Sequence, residues 1–248
     1  MRDAVTHVVP RGGGELAVST TERARLVLTA SIVVTALLYI VPYGRVLAYP
    51  LMLLSTLFHE MGHGVTAVLV GAHFDRFEMW ADGSGVAYLR TDGGRITQAV
   101  IAIGGLIGPA VVGALGFAAA RTRRGAQRAL VVLIVGLLLA CLLVVRNPFG
   151  MLFTLTLVGL CALVVRIGSS DLAQLTVVFL SVQLALSVFS RSDYLFTPYA
   201  TTARGRMPSD VGQIEQALFF PYWFWGALCG LLSIAVLLLG LRLYWRER

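Results

Sequence analysis

Residues 47–70 read LAYPLMLLSTLFHEMGHGVTAVLV, an apolar run interrupted by His59, Glu60 and His63. As a helix the run is long enough to cross a hydrocarbon layer of about 30 Å. Positions i and i+4 share a helix face, so His59 and His63 project from adjacent turns toward one point. Ionisable groups in such a run are costly, about 2.5–3.5 kcal/mol for Asp at a span centre, and they mark function by default.

The surrounding sequence has the same apolar character. The chain has 248 residues, 57% of them hydrophobic and only 13% charged, with a mean hydropathy of +0.80. A soluble domain carries about 25% charged residues, so this composition excludes a disordered tail, a coiled coil and an ordinary nucleic-acid-binding domain. Further apolar blocks cover residues 26–41, 96–120, 129–145, 149–165, 172–189 and 219–241. The pattern predicts an all-α polytopic membrane protein with about seven transmembrane helices. The expected location is a bacterial cell membrane: all 20 basic residues are Arg, a bias expected of a GC-rich bacterial genome.

Between the blocks, Phe74–Trp80 alternates, Asp82-Gly83-Ser84-Gly85 forms a turn, and Val86–Leu89 follows, so residues 71–95 predict a β-hairpin insert after the second helix. Residues 190–218 read as a polar loop with a short amphipathic helix marked by Val211, Ile214 and Leu218. Residues 1–25 form a polar lead-in, and 26–248 a single transmembrane domain. Cys141, Cys161 and Cys229 lie in apolar blocks without paired spacing, which supports neither disulfides nor a cysteine metal site. The arginines divide almost evenly between alternate loops and leave the orientation open.

His59-Glu60-Met61-Gly62-His63 is the one motif with a complete chemistry. Two neutral imidazoles one turn apart grip a zinc ion, Zn2+. Glu60, about a hundred degrees round the helix, takes a proton from a zinc-acidified water that attacks a peptide carbonyl. The longer pattern with a third histidine would need His where Leu69 stands. The same three residues would also suit a proton or ion pathway in a transporter. No matching halves with broken helices accompany them, however. Gly104 and Gly108 on the third helix have the spacing that lets membrane helices approach closely.

A motif of this kind inside a transmembrane helix, followed by a hairpin and a Gly-rich helix, resembles the site-2 protease family of intramembrane zinc metallopeptidases, and in particular its bacterial B-like subgroup. The likeness runs from about Leu47 to Leu241, with only the five-residue motif specific. It implies a metalloendopeptidase cleaving membrane-embedded or membrane-proximal peptide bonds. His59 and His63 would bind zinc, Glu60 would be the general base, and the hairpin would offer an edge to an unwound substrate. His73 in the hairpin is read as a surface histidine. Family members usually complete the site with Asp from Asn-Pro-Asp-Gly, whereas here the stretch is Asn147-Pro148-Phe149-Gly150.

Phe149 cannot bind zinc, so another carboxylate is needed. Ser209-Asp210 resembles a Ser-Asp feature of the B-like subgroup, which nominates Asp210. Asp193 comes next, and Asp171 fits a helix-capping role. An alternative is an inactive protease-like scaffold or regulator that retains a metal site. The implied partners are a membrane protein substrate, the lipid bilayer, and a regulatory membrane protein or second copy. No nucleic acid is expected.

Overall fold

The computed structural model describes residues 20–167, 169–190, 195–203 and 205–246. Each apolar block is a helix: α1 (Thr20–Ile40), α2 (Gly44–Leu69), α3 (Arg95–Ala120), α4 (Arg123–Leu143), α5 (Pro148–Ile167), α6 (Ser170–Ser190) and, last, α8 (Tyr222–Trp245). The shorter α7 (Asp210–Leu218) precedes α8. Five described helices, α3, α4, α5, α6 and α8, are long and apolar enough to cross a membrane. The expected count of about seven is borne out only as far as these five. The apolar part of α1 is only Arg25–Leu38. In α2 the two histidines, Glu60, Ser55, Thr56 and Thr66 dilute the apolar character. The chain is an integral multi-pass membrane protein. Val132, Val135, Leu139 and Leu142 on α4, and Leu152, Leu155 and Leu163 on α5, leave apolar side chains outward, as lipid contact requires.

The interior explains the outward faces. Leu28, Phe117, Leu130, Val178, Leu237 and Tyr244 form the largest core cluster, joining α1, α3, α4, α6 and α8. Two buried glutamines beside it are paired: Gln183 donates to Thr35 Oγ1, and Gln174 to the Ala120 carbonyl at 2.6 Å. One end of the bundle is closed by the ion pair Arg123 Nε–Asp171 Oδ1 at 2.6 Å, beside the Thr122 cap that accepts from Gly125 N–H at 2.9 Å.

Strands β1 (His73–Met79) and β2 (Gly85–Arg90) form the expected antiparallel hairpin, pairing Phe77 with Ala87 and Met79 with Gly85. Gly83, at φ +85°, supplies the left-handed residue of its turn. Arg90 forks over Asp75 at 2.6 and 2.9 Å and holds that carboxyl below its ordinary range, chiefly through the hydrogen bond. The start of α5 anchors β1. Asn147 Nδ2 donates to the Met79 carbonyl while its Oδ1 accepts from Met79 N–H at 3.1 Å, and Phe77 forms a parallel bridge with Val145.

The stretch expected as a polar loop is more ordered than its composition suggests. It contains a second hairpin, β3 (Tyr199–Thr202) and β4 (Gly205–Pro208), tied to the first by Ala203 N–H donating to Ser84 Oγ at 3.2 Å. The amphipathic helix expected there is α7. Its Val211, Ile214 and Ala217 pack on Ala99, Ala102 and Leu106 of α3. The aromatic run Phe219–Trp225 keeps Phe219, Phe220 and Trp223 exposed, as an interfacial belt does.

Helix α2 packs most tightly on α3, where glycines meet. A Cβ at Gly62 would stand 2.4 Å from the Gly104 carbonyl oxygen, and one at Gly104 would stand 2.0 Å from Thr66 Oγ1. At Gly136 on α4 an added Cβ meets nothing within 4 Å. Gly62→Ala is therefore expected to cost about 1–3 kcal/mol and to lower the thermal midpoint in detergent by several degrees. Gly136→Ala should leave it unchanged or slightly raised.

Candidate metal centre

Helix periodicity places His59 and His63 on one face of α2, and the α2–α3 contact seats the second ring. A Cβ at Gly105 would fall 2.1 Å from His63 Nε2, so the glycine leaves the space that the imidazole fills. The Ile101 carbonyl accepts from His63 Nδ1–H at 2.9 Å. That bond fixes the tautomer and leaves Nε2 as a lone pair. The two Nε2 atoms are 3.3 Å apart and their rings are set edge to face.

The third member comes from α7. Ser209 caps that helix, its Oγ accepting from Gly212 N–H at 3.1 Å, and this puts Asp210 in the first turn beside the histidines. Asp210 Oδ2 lies 2.9 Å from His59 Nε2, and Oδ1 lies 3.2 Å from His63 Nε2. The Oδ2 atom is buried with no hydrogen bond of acceptable geometry, although the His59 nitrogen is close by. Three side chains thus converge, with ligand atoms that all lie within 4.8 Å of one another. A shared cation would be held by all three.

These residues fit zinc. A tetrahedron with ligand bonds of about 2.0–2.1 Å has edges of about 3.3 Å. The Nε2–Nε2 and Nε2–Oδ1 separations of 3.3 and 3.2 Å are close to that edge. Two imidazoles and one carboxylate make a donor set that catalytic zinc accepts with one position left open.

Glu60 is turned away from the histidine face, as its place in the sequence predicts. Its Oε2 accepts from Ala87 N–H of β2 at 2.7 Å, so the hairpin lies directly against the motif. The other acids are elsewhere. Asp171 pairs with Arg123, Glu78 with Arg76 and Tyr88, and Asp82 with Ser84. Asp193 lies outside the described residues. His73 is exposed in β1 and does not belong to the metal-facing group. Phe149 packs in the apolar cluster of Leu53, Leu57, Phe77 and Val145.

Sequence reasoning missed the Ile101 carbonyl and the Ala87 amide, because backbone groups carry no residue-type signal. The Gly104-Gly105 doublet was the available hint that α3 comes close enough to touch the motif.

The family model described as Peptidase M50B-like matches residues 29–240. The chain belongs to that family. The match bears out the likeness to the site-2 protease family drawn from the motif and its surroundings. No curated protein and no solved structure matches the chain.

Asp210→Asn removes the buried charge that faces both rings. Affinity for zinc is expected to fall roughly tenfold or more, a loss that even outer-shell changes reach at metal sites. Asp171→Asn, which weakens the Arg123 pair away from the histidines, should leave affinity unchanged. Competition titration with a chromogenic chelator measures both.

Proposed function

We propose that the chain is an intramembrane zinc metalloendopeptidase that hydrolyses peptide bonds of membrane-embedded or membrane-proximal segments of other membrane proteins. The observation that carries this reading is the meeting of His59, His63 and Asp210, with Glu60 adjacent in the same helix, in a chain of this family.

His59, His63 and Asp210 would hold the ion. Zinc bound there supplies a Lewis acid that polarises a carbonyl and lowers the pKa of water into the neutral range. Each of the chain's own groups then has a separate task. His63, locked by its bond to the Ile101 carbonyl, keeps its Nε2 lone pair aimed at the group. Asp210 offsets dication charge inside an apolar bundle. Glu60 accepts a proton from water and returns it to the leaving amine, as a general base that becomes a general acid.

Peptide cleavage needs the substrate backbone extended, and a transmembrane substrate arrives helical. The hairpin beside Glu60 makes strand pairing the natural way to hold it open. The chain's outward apolar faces keep it in the bilayer where such substrates are found. The scaffold alternative rested on Phe149. It loses force here because a carboxylate reaches the histidines from α7 instead.

The purified full chain is expected to carry about one zinc per molecule, removed by His59→Ala or His63→Ala and retained in His73→Ala; metal analysis measures this. Glu60→Gln should keep the zinc and lose at least about 10²–10⁴-fold in turnover of a fluorogenic transmembrane peptide. Full zinc content in the double histidine variant would end the assignment. Turnover in Glu60→Gln close to wild type would remove Glu60 from its role.

A further inference from the structure

The β1–β2 hairpin has two outer edges: that of β1 is covered by the chain before α5, and that of β2 meets α2 at one amide. On the β1 edge, Phe77 N–H donates to the Val144 carbonyl at 2.7 Å, and the Phe77 carbonyl accepts from Arg146 N–H at 3.0 Å. Both backbone groups of Phe77 therefore face away from β2. In an antiparallel ladder, that makes Phe77 and Ala87 a pair that exchanges no hydrogen bonds. Ala87 N–H consequently points away from β1, and it meets Glu60 Oε2 at 2.7 Å.

The surrounding contacts hold this meeting in place. Thr56, one turn before Glu60 on the same face of α2, donates from Oγ1 to the Gly83 carbonyl at 2.7 Å. A Cβ at Gly85 would stand 2.7 Å from Thr56 Cγ2 and 3.0 Å from Glu60 Cγ, so glycine allows the strand to lie flat on this face. The opposite edge of the hairpin is pinned at Met79 by Asn147. The Ala87 amide is thus a fixed donor on a rigid element, and the sheet itself has no use for it.

We propose that Ala87 is a positioning residue whose backbone N–H holds one oxygen of Glu60 and leaves the other to move the proton. This rests on the role of Glu60 given above. A glutamate has three rotatable bonds, and a base must be in place before its substrate arrives. One charge-assisted hydrogen bond from a fixed amide restricts all three. The hairpin is then part of the catalytic apparatus, whatever it does for the substrate.

The test reads the contact and its consequence separately. Hydrogen exchange of the Ala87 amide is followed by mass spectrometry at single-residue resolution, on the purified full chain in detergent. Glu60→Ala should accelerate that exchange about tenfold or more, while Glu60→Gln, which still offers an acceptor oxygen, should stay close to wild type. Equal exchange in all three proteins overturns the proposal. Ala87→Pro deletes the donor without removing a ladder bond, because that N–H takes no part in the pairing. It should lower kcat about tenfold on the fluorogenic peptide, with KM and zinc content close to wild type. An unchanged kcat in a folded, zinc-loaded Ala87→Pro protein also overturns it. If wild type cleaves no peptide, the proteolytic reading fails, and the exchange measurement still decides the contact.

Discussion

Three polar side chains of α2 inside an apolar bundle set the terms for the rest of the molecule. A buried ionisable group without partners is costly, and neighbours that leave it unmatched destabilise the fold more than its removal would. The surrounding elements each answer one of these groups. Helix α3 brings the Ile101 carbonyl to His63, α7 brings Asp210 to both histidines, and β2 brings an amide to Glu60. Remove any of these neighbours and a lone pair or a charge is left facing hydrocarbon.

Close approach is what makes these answers reach. Backbone groups extend only a short way from a helix axis, so the Ile101 carbonyl can touch His63 only where α2 and α3 nearly meet. Gly62, Gly104 and Gly105 create that meeting. In a membrane no difference in hydrophobicity drives helices together, and packing of small residues supplies the contact energy. The same glycines therefore serve both association of the helices and orientation of the ligand ring.

The legible parts of the sequence were those with a strong local period. The motif, the apolar blocks, the Gly83 turn and the α7 stripe of Val211 and Ile214 could be read because each is set by near neighbours in the chain. The number of spans could not be read in the same way: the motif dilutes the hydropathy of α2, and the apolar part of α1 is short, so apolar blocks and helices apolar enough to cross do not coincide one for one. The β3–β4 hairpin escaped notice because four-residue strands of mixed polarity carry little alternation. Asp210 was nominated by resemblance and not by spacing. No local pattern reveals that a residue about 150 positions after His59 returns to it.

The departure at Phe149 follows from how α5 begins. The Asn147 side chain is committed to both backbone groups of Met79, and in that way it acts as a short stand-in strand for the hairpin. Phe149, two residues on, packs beside Leu53, Leu57 and Phe77 and seals the underside of the same hairpin. A charged carboxylate there would be half-buried among apolar side chains. Helix α7 is the better source for the acid. It is amphipathic, its buried face docks on α3 close to Ile101, and Ser209 closes its first turn, so Asp210 gains the favourable end of a helix dipole as well as the two histidines. The start of α5 therefore supports the sheet that meets the general base, and the metal-facing carboxylate comes from a separate short helix.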